Sequence, residues 1–238
     1  MAATNVLERT WNRRVGRWHE HVSSTTGFQA VLDEVFRAAR PRASDVCVDL
    51  GAGTGFLTMA LAPEVASVLA VDISPAMTAA LDEMVRDRGI QNVSSRVADL
   101  TELTLPDDSV DLVVSNYALH HLIDADKRAL VGRAARWVRP GGRLVVADMM
   151  FGRGASRRDR QILVGKLRAL AVKGPGGWWR IVKNLARFGF GIGQEHPASP
   201  ESWVRALEDA GFVDVTFRPV VAEAGVVTGI RDFGATAA

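Results

Sequence analysis

Five short apolar runs recur between residues 46 and 148, and segments with helical periodicity separate them. This alternation constrains the fold more than any other feature of the chain. Parallel strands need a long crossover connection, usually a helix, so the pattern predicts a parallel sheet wrapped by helices. The runs occupy residues 46–50, 68–72, 93–98, 110–115 and 143–148, and the clearest helical patterns are Ser74–Arg88 and Asp124–Val138.

The two ends of the chain extend this prediction. An apolar stripe with the spacing of one helix face predicts a helical cap before the first strand; it consists of Phe28, Val31, Leu32, Val35 and Phe36. Near the other end, Ser199 and Pro200 give a helix start signal and Gly211 gives a stop signal. Two β-like runs, 212–220 and 224–231, then predict an antiparallel pair at the sheet edge. We also expect Pro140–Gly142 to separate a helix from the strand that follows it.

Three glycines at alternate positions follow the first apolar run, which continues into D-L-G-A-G-T-G at residues 49–55. Because glycine lacks a Cβ, such a turn folds tightly and its backbone N–H groups can approach a ligand. The second run ends in Asp72, where a carboxylate can accept hydrogen bonds from ribose hydroxyls. Together these features predict a site for a nucleotide-type cofactor.

A dinucleotide fingerprint would need a small residue where this chain has Phe56, so a nicotinamide cofactor is disfavoured. With Asp49 two residues before the first glycine, the pattern resembles the first motif of the class I S-adenosylmethionine-dependent methyltransferases. The resemblance implies a Rossmann-like α/β fold: a seven-stranded, mostly parallel sheet with an antiparallel C-terminal strand pair and helices on both faces. It also implies S-adenosylmethionine as cofactor, and it points to the small-molecule group that includes ubiquinone and menaquinone biosynthesis enzymes. Four further segments match the family's motifs in order: Ala70–Met77, Ala98–Leu100, Asp111–Asn116 and Val138–Leu144.

The resemblance implies roles for residues around the adenosine part of the cofactor. Asp72 would bind the ribose hydroxyls, and Ile73 and Met77 would lie on the two faces of the adenine ring. Asp99 would accept from the adenine amino group, while the Leu100 N–H would donate to a ring nitrogen. Core packing by Ile73 and Met77, and a surface turn at Asp99, are the alternatives.

Further residues would surround the methionine part. Asp49 would meet the cofactor's ammonium group, because a buried carboxylate is costly without a partner. The backbone carbonyls of Ser115 and Asn116 would hold the same amino group. The Thr54 hydroxyl would bind the cofactor carboxylate or cap the local turn. The glycine turn itself contributes Gly51, Ala52 and Gly53, and no metal site is predicted.

His120 and His121 follow the fourth run and are the candidate catalytic residues. An imidazole with a pKa of about 6.5 can take a proton from a phenol or a similar acceptor. Methyl transfer is an in-line displacement that needs mainly alignment and exclusion of water, so packing is the alternative role. Candidate substrate or lid residues are Trp11, Trp18, His19, Tyr117, Trp178 and Trp179, and Glu195–Pro197 is a further candidate by residue type alone.

The composition, with 238 residues of which 47% are hydrophobic and 24% charged, is typical of one soluble domain. Cys47 is the sole cysteine and is expected in the core, so an internal disulfide is excluded. We expect neither a signal peptide nor a membrane span, since no apolar run approaches about 18 residues. The expected location is the cytoplasm, with peripheral contact at the inner face of the membrane as an option.

Residues Phe151–Phe190 are strongly basic, with ten Lys or Arg against one acid, whereas the whole chain has a net charge of only +2. Between Trp178 and Phe188 apolar and basic residues take opposite helical faces. Such a segment is typical of a helix that lies on an anionic membrane, in which case residues 153–187 would make the contact. It is also typical of a lid over a lipid-like or acidic ligand. A solvated basic surface over a core stripe is the alternative.

We therefore expect a single domain that transfers a methyl group to an O, N or C atom of a small molecule, aromatic or lipid-like. Its parts are a cap (1–42), a cofactor-binding core (43–150), a basic helical lid insert (151–198) and a last helix with the strand pair (199–238). An RNA methyltransferase, or a catalytically silent cofactor-binding protein docking on an anionic membrane, is the alternative. An amino-group nucleic-acid methyltransferase is expected to have an acid or Asn followed by two prolines and an aromatic residue after the fourth run, where this chain has Asn116-Tyr117-Ala118-Leu119. This disfavours DNA as substrate, while the basic insert leaves RNA as a minor alternative.

Overall fold

The computed structural model describes residues 8, 9, 11, 12, 26–152, 157, 160, 161, 164, 195–221 and 223–233. Trp18, His19, Trp178, Trp179 and most of the basic segment 153–187 lie outside these residues. The strands within the described ranges are β1 (Val46–Leu50), β2 (Ser67–Asp72), β3 (Val93–Val97), β4 (Val110–Asn116), β5 (Val138–Met149), β6 (Phe212–Pro219) and β7 (Ala224–Arg231).

These seven strands form one sheet in the order β3-β2-β1-β4-β5-β7-β6. The first five pair in parallel, and β7 runs antiparallel to both β5 and β6. The strand order reverses between β1 and β4, since β2 lies on one side of β1 and β4 on the other. Ligands of open α/β sheets bind at such a reversal, beyond the carboxyl ends of the strands.

Helices cover both faces of the sheet: α1 (Thr26–Ala39), α2 (Phe56–Leu61), α3 (Pro75–Asp87), α4 (Asp124–Trp137) and α5 (Pro200–Asp209). Successive residues of a strand point to opposite faces, so β4 contributes Leu112 to one core and Val113 to the other. The first core contains Val31, Val35, Leu57 and Leu61 of α1 and α2; the second contains Leu130, Trp137, Trp203 and Leu207 of α4 and α5. The predicted fold is confirmed.

The predicted start signal at Ser199 is confirmed, and Ser74 caps α3 in the same way. The Ser74 hydroxyl accepts from the Met77 N–H at 3.2 Å, and the Ser199 hydroxyl accepts from the Ser202 N–H at 3.2 Å. Gly211 follows α5 with a φ of +88°, which favours glycine. Cys47 is fully buried in the core, and burial raises the pKa of its thiol. Among the described helices, none is long and apolar enough to cross a membrane.

One boundary prediction is wrong. Strand β5 begins at Val138, so Pro140–Gly142 lie within the strand and not before it. Val138 pairs with Val110, and the register then shifts before Arg143 pairs with Leu112. A Cβ at Gly142 would lie 2.8 Å from the carbonyl oxygen of Asp111, so glycine permits a close approach of the two strands here.

Candidate functional site

A cavity of about 480 Å³ opens beyond the carboxyl ends of β1, β2 and β4, where the strand order reverses. Its wall consists largely of residues that the sequence predicts to be functional. Those residues are Trp11, Asp49, Gly51, Ala52, Gly53, Asp72, Ile73, Met77, Asp99, Leu100, Asn116, Tyr117 and His121. Segments that are far apart in sequence thus contribute to one wall.

The glycine turn is closely packed on its protein side. A Cβ at Gly51, where φ is +74°, would lie 2.2 Å from the Ala118 Cβ. A Cβ at Gly55, where φ is +88°, would lie 2.3 Å from Leu81 Cδ1. Gly53 lines the cavity, and a Cβ there would meet no described protein atom within 4 Å. Glycine therefore lets the turn pack tightly on one side and leaves bare backbone on the other.

The expectation that the N–H groups of this turn face a ligand is wrong for most of the turn. The Gly51 and Ala52 N–H groups donate to the Val71 carbonyl at 2.8 and 3.0 Å, and Gly55 donates to the Ala52 carbonyl at 2.9 Å. The Gly53 N–H donates to Asp72 Oδ2 at 2.8 Å. The Gly51, Ala52 and Gly53 N–H groups join the turn to β2. The Gly55 N–H closes the turn on itself, so these four N–H groups hold the turn and position an acid.

Asp72 is held by backbone donors on both carboxylate oxygens. Oδ2 accepts from Gly53, and Oδ1 accepts from the Ser74 N–H at 2.8 Å. Burial raises the pKa of Asp72, and these hydrogen bonds oppose that shift. Each carboxylate oxygen can accept more than one hydrogen bond, so the group retains capacity for ligand hydroxyls.

Asp49 lies deeper, with only 1% of its surface exposed. Its carboxylate accepts from the Thr58 hydroxyl at 2.6 Å. Burial raises the pKa of Asp49 to about 7, and the charge of Asp72 adds to the effect although the Thr58 hydrogen bonds oppose it. A buried acid that is poised near neutrality favours a cationic partner.

The loop after β3 forms another end of the cavity. Asp99 Oδ1 accepts from both the N–H and the hydroxyl of Thr101 at 2.8 Å. Thr101 and Leu100 line the cavity beside Asp99, and Ile73 and Met77 provide apolar surface there. The sequence interpretation did not include Thr101, although an Asp-x-Thr turn is a local signal for it.

Three predicted residues, two at the end of β4 and one in the glycine turn, lie in different environments. Asn116 lines the cavity, and its buried Oδ1 has no hydrogen-bond partner among the described residues. Ser115 does not line it, because its hydroxyl donates to the Leu50 carbonyl inside the sheet at 2.8 Å. Thr54 is buried off the cavity wall, and its hydroxyl also lacks a partner within the described part of the chain.

The two predicted bases also separate. His121 lines the cavity, with its ring edge-on to Trp11 at a centroid distance of 5.4 Å. His120 does not line it: Asp148 accepts from its backbone N–H at 2.7 Å and lies 2.6 Å from its Nδ1. Burial lowers the pKa of His120, but the charge and hydrogen bond of Asp148 raise it more. A direct catalytic contact by His120 is therefore not supported by its position, because that side chain turns inward.

Aromatic side chains form the wall next to His121. Tyr117 has a φ of +51° and stacks on Phe28 at a centroid distance of 6.2 Å. Burial raises the pKa of Tyr117 to about 12, with contributions from Glu223 and Asp148, so its phenol stays neutral. Phe56 meets Phe28 edge-on at 5.6 Å. Phe28 and Phe56 both line the cavity. The sequence pattern predicts only core packing for Phe28, and Phe56 serves there only to disfavour a nicotinamide cofactor.

His196 enters the cavity from the far end of the insert. Its N–H donates to the His120 carbonyl at 2.5 Å, and its carbonyl accepts from the buried Lys127 ammonium. Residue type was its only sequence signal. Other cavity residues that were missed are Leu57, Ala118, Leu122, Ile123 and Asp126, several of which lie at or just before the start of α4.

The N-terminal segment reaches the cavity through Trp11 and Asn12. Asn12 Oδ1 accepts from the Ser74 hydroxyl at 2.5 Å and from the Ala76 N–H at 3.3 Å. This contact holds the segment at the start of α3, next to Asp72. Trp11 then lies against His121, so the segment connects the β2 side of the cavity with the β4 side.

Known proteins resemble this chain over the same region. A family model described as a methyltransferase domain matches residues 47–142, which hold the glycine turn and the loops after β2, β3 and β4. Over these residues the chain is similar to the class I S-adenosylmethionine-dependent methyltransferases, whose motifs it carries in order. Wheat (Triticum aestivum) phosphoethanolamine N-methyltransferase 1 is 32% identical over 156 residues, 59% of this chain and 31% of that protein. The uncharacterized methyltransferase YcgJ of Bacillus subtilis (strain 168) is 31% identical over 117 residues, 49% of this chain and 46% of that protein. The matches thus span about a third to about a half of these curated relatives.

The fold of this chain is found in solved structures across nearly its whole length. Geranyl diphosphate C-methyltransferase from Streptomyces coelicolor A3(2), solved with S-adenosyl-L-homocysteine, has a TM-score of 0.69. The two proteins are 15% identical, and the match covers 97% of this chain and 98% of that one. At this identity the likeness is one of fold.

The cavity fits the family's cofactor, S-adenosylmethionine, by the chemistry of its walls. An adenosine with two ribose hydroxyls, a sulfonium and an ammonium group needs acceptors, apolar surface and acids. Asp72 supplies acceptor capacity and Asp49 an acid beside bare glycine backbone, while Asn116 Oδ1 is a buried acceptor without a partner in the described structure. The donor set matches the cofactor's hydroxyl and cationic groups.

Proposed function

We propose that this methyltransferase transfers the methyl group of S-adenosylmethionine to a small-molecule nucleophile bound in the same cavity. The observation that carries the proposal is the division of the cavity wall into two parts. One part holds the acids and the glycine turn; the other is aromatic and carries two imidazoles, His121 and His196. Phosphoethanolamine and geranyl diphosphate, which name related or similarly folded methyltransferases, are small acceptors and support this class.

The first part of the wall would hold the cofactor. Asp72 accepts from the ribose hydroxyls, Ile73 and Met77 lie beside the adenine, and Asp99 with the Leu100 N–H binds its edge. Asp49 faces the ammonium group, and its ionised form is favoured once that cation is bound. The bound cofactor supplies a methyl carbon activated by positive sulfur.

The second part of the wall would hold the acceptor. Trp11, Phe28 and Tyr117 provide flat surfaces and exclude water, which favours alignment of the acceptor. His121 takes a proton from an acceptor that must lose one, such as a phenol. The neutral Tyr117 phenol can donate or accept a hydrogen bond near the same place.

The test is transfer of labelled methyl from S-adenosylmethionine into extracts of the source organism, followed by separation into lipid, small-molecule, RNA and protein pools. We expect label in the small-molecule or lipid pool with the wild type and none with Asp72→Ala. Label in RNA alone would support the nucleic-acid alternative, and binding without any transfer would support a catalytically silent protein. If the acceptor gives up a proton, His121→Gln, assayed on the labelled pool, should lower turnover above pH of about 6.5, where an ordinary imidazole is unprotonated, and should change it little at acidic pH.

A further inference from the structure

A cation on α4 holds the loop after β3 from behind. Arg133 Nη2 donates to the Leu100 carbonyl at 2.7 Å, and Arg133 Nε donates to the Leu103 carbonyl at 3.1 Å. The two acceptors lie three residues apart, on either side of a tight turn. Arg133 makes no ion pair with a carboxylate within the described residues, so its interaction with this loop is its main polar contact.

The front of the same loop lines the cavity through Asp99, Leu100 and Thr101. Bonds within the loop set its shape: the Asp99 carbonyl accepts from the Glu102 and Leu103 N–H groups at 3.0 and 2.9 Å. Asp99 Oδ1 also accepts from Thr101. The Ala98 N–H donates to the Asp72 carbonyl at 2.9 Å and ties the start of the loop to β2. Farther along, Leu100 and Leu103 pack in the core with residues of α4, and Arg133 adds hydrogen bonds that connect this part of the loop to α4.

Arginine suits this task better than lysine. Its guanidinium presents several donors in one rigid plane, so two carbonyls are fixed relative to each other. A lysine ammonium would replace the fork by a single point charge. Holding the Leu100 carbonyl fixes the peptide between Leu100 and Thr101, next to the Leu100 N–H and the Asp99 carboxylate that the proposed function assigns to adenine.

We propose that Arg133 is a positioning residue for adenine recognition, acting through Leu100 and Asp99. The proposal rests on the proposed function, because it takes adenine to be the group that these two residues bind. Arg133 itself does not line the cavity. Its effect should therefore fall on the discrimination between purine bases, and not on the binding of the ribose or the amino-acid tail.

The experiment measures the binding of S-adenosylhomocysteine and of S-inosylhomocysteine, whose base carries an oxygen in place of the adenine amino group. We expect the wild type to bind the adenine compound at least about tenfold more tightly, because a buried hydrogen-bonding group that is left without a partner weakens binding. In Arg133→Met the preference should fall to about threefold or less, and Arg133→Lys should be intermediate. Arg136→Met, which removes an exposed arginine one turn later on α4, is the matched control and should keep the preference.

Thermal unfolding of each variant separates positioning from folding. A folded Arg133→Met that loses affinity for both compounds equally, with the preference intact, overturns the proposal and leaves a structural role. If Arg133→Met does not fold, the same measurement is made on Arg133→Lys. An unchanged preference for the adenine compound in Arg133→Lys also overturns the proposal. A wild type that binds neither compound would contradict the proposed function itself.

Discussion

Two carboxylates, Asp49 and Asp148, are equally buried at 1% exposure, yet their surroundings differ completely. Asp148 accepts from the His120 N–H, contacts His120 Nδ1 and accepts from the Met149 N–H at 2.7 Å, so its capacity is used inside the protein. Asp49 has Thr58 as its hydrogen-bond partner and lines the cavity. Burial alone therefore does not identify an acid that binds a ligand. What identifies it is unused hydrogen-bond acceptor capacity that faces a cavity.

The largest expected effect is on stability, from Asp148→Ala. Removing one partner of a buried charged pair costs about 3–5 kcal/mol, because the other partner stays buried. The pKa of His120 is raised in the fold, so the stability that this pair contributes is fully present below pH of about 6.5 and is lost as pH rises through the folded pKa. Urea unfolding should show a larger deficit at pH 6 than at pH 9. Asp209→Ala, at an exposed position of α5, is the control.

The next effect concerns ligand affinity, from Asp72→Ala. Charge-assisted hydrogen bonds are worth about 1.5–3 kcal/mol each, partly offset by water, so binding of S-adenosylmethionine should weaken by roughly 2–4 kcal/mol. Calorimetric titration measures this, with Asp82→Ala on the exposed side of α3 as the control. Unchanged affinity in a folded variant, or tight NAD binding by the wild type, would contradict the assignment. A larger affinity loss in Asp148→Ala than in Asp72→Ala would contradict the conclusion that the acceptor capacity of Asp148 is used inside the protein.

A smaller effect should distinguish Asp49 by pH. Its pKa is raised from 3.8 to about 7, so between these values the folded protein holds a proton that the unfolded chain has released. The stability of the cofactor-free protein therefore falls as pH rises over this range. In Asp49→Asn, whose amide oxygen can still accept from Thr58, this dependence should disappear. Parallel pH curves for the two proteins would show that Asp49 is not destabilised by burial.

The smallest effect is kinetic, from Asn12→Ala. The variant loses the contacts of Asn12 with Ser74 and Ala76, one of which is a hydroxyl bond of 2.5 Å. A neutral hydrogen bond contributes about 1 kcal/mol, so dissociation of S-adenosylhomocysteine should speed up about fivefold. Stopped-flow displacement measures the rate. Arg9→Ala, an exposed position in the same N-terminal segment, should dissociate at the wild-type rate.

The outline of the cofactor side was predictable because its signals are local. Ser74 caps α3 from within its own turn, and the glycines and Asp72 are recognised by short spacings. The hydrogen-bond roles within that side were not predictable. The Gly51 and Ala52 N–H groups donate to Val71, a partner that β1 and β2 bring close only when they pair.

The acceptor side was predictable only in part. His120 and His121 are adjacent in sequence and chemically identical, and the inward turn of one toward Asp148 depends on β5. His196 comes close to His120 because Lys127 and a backbone bond hold it there, across the whole insert. Periodicity does not encode such contacts.

By itself the sequence determined the alternation of strands and helices, the helix caps, the glycine turn and the family's order of motifs. These follow from the conformational preferences of neighbouring residues and from apolar spacing, which need no tertiary partner. The tertiary structure decided which acids keep acceptor capacity toward the cavity, which histidine faces it, and which cation holds the loop after β3. Those outcomes depend on hydrogen bonds between residues tens of positions apart, and only the packed sheet and its helices bring such groups within bonding distance.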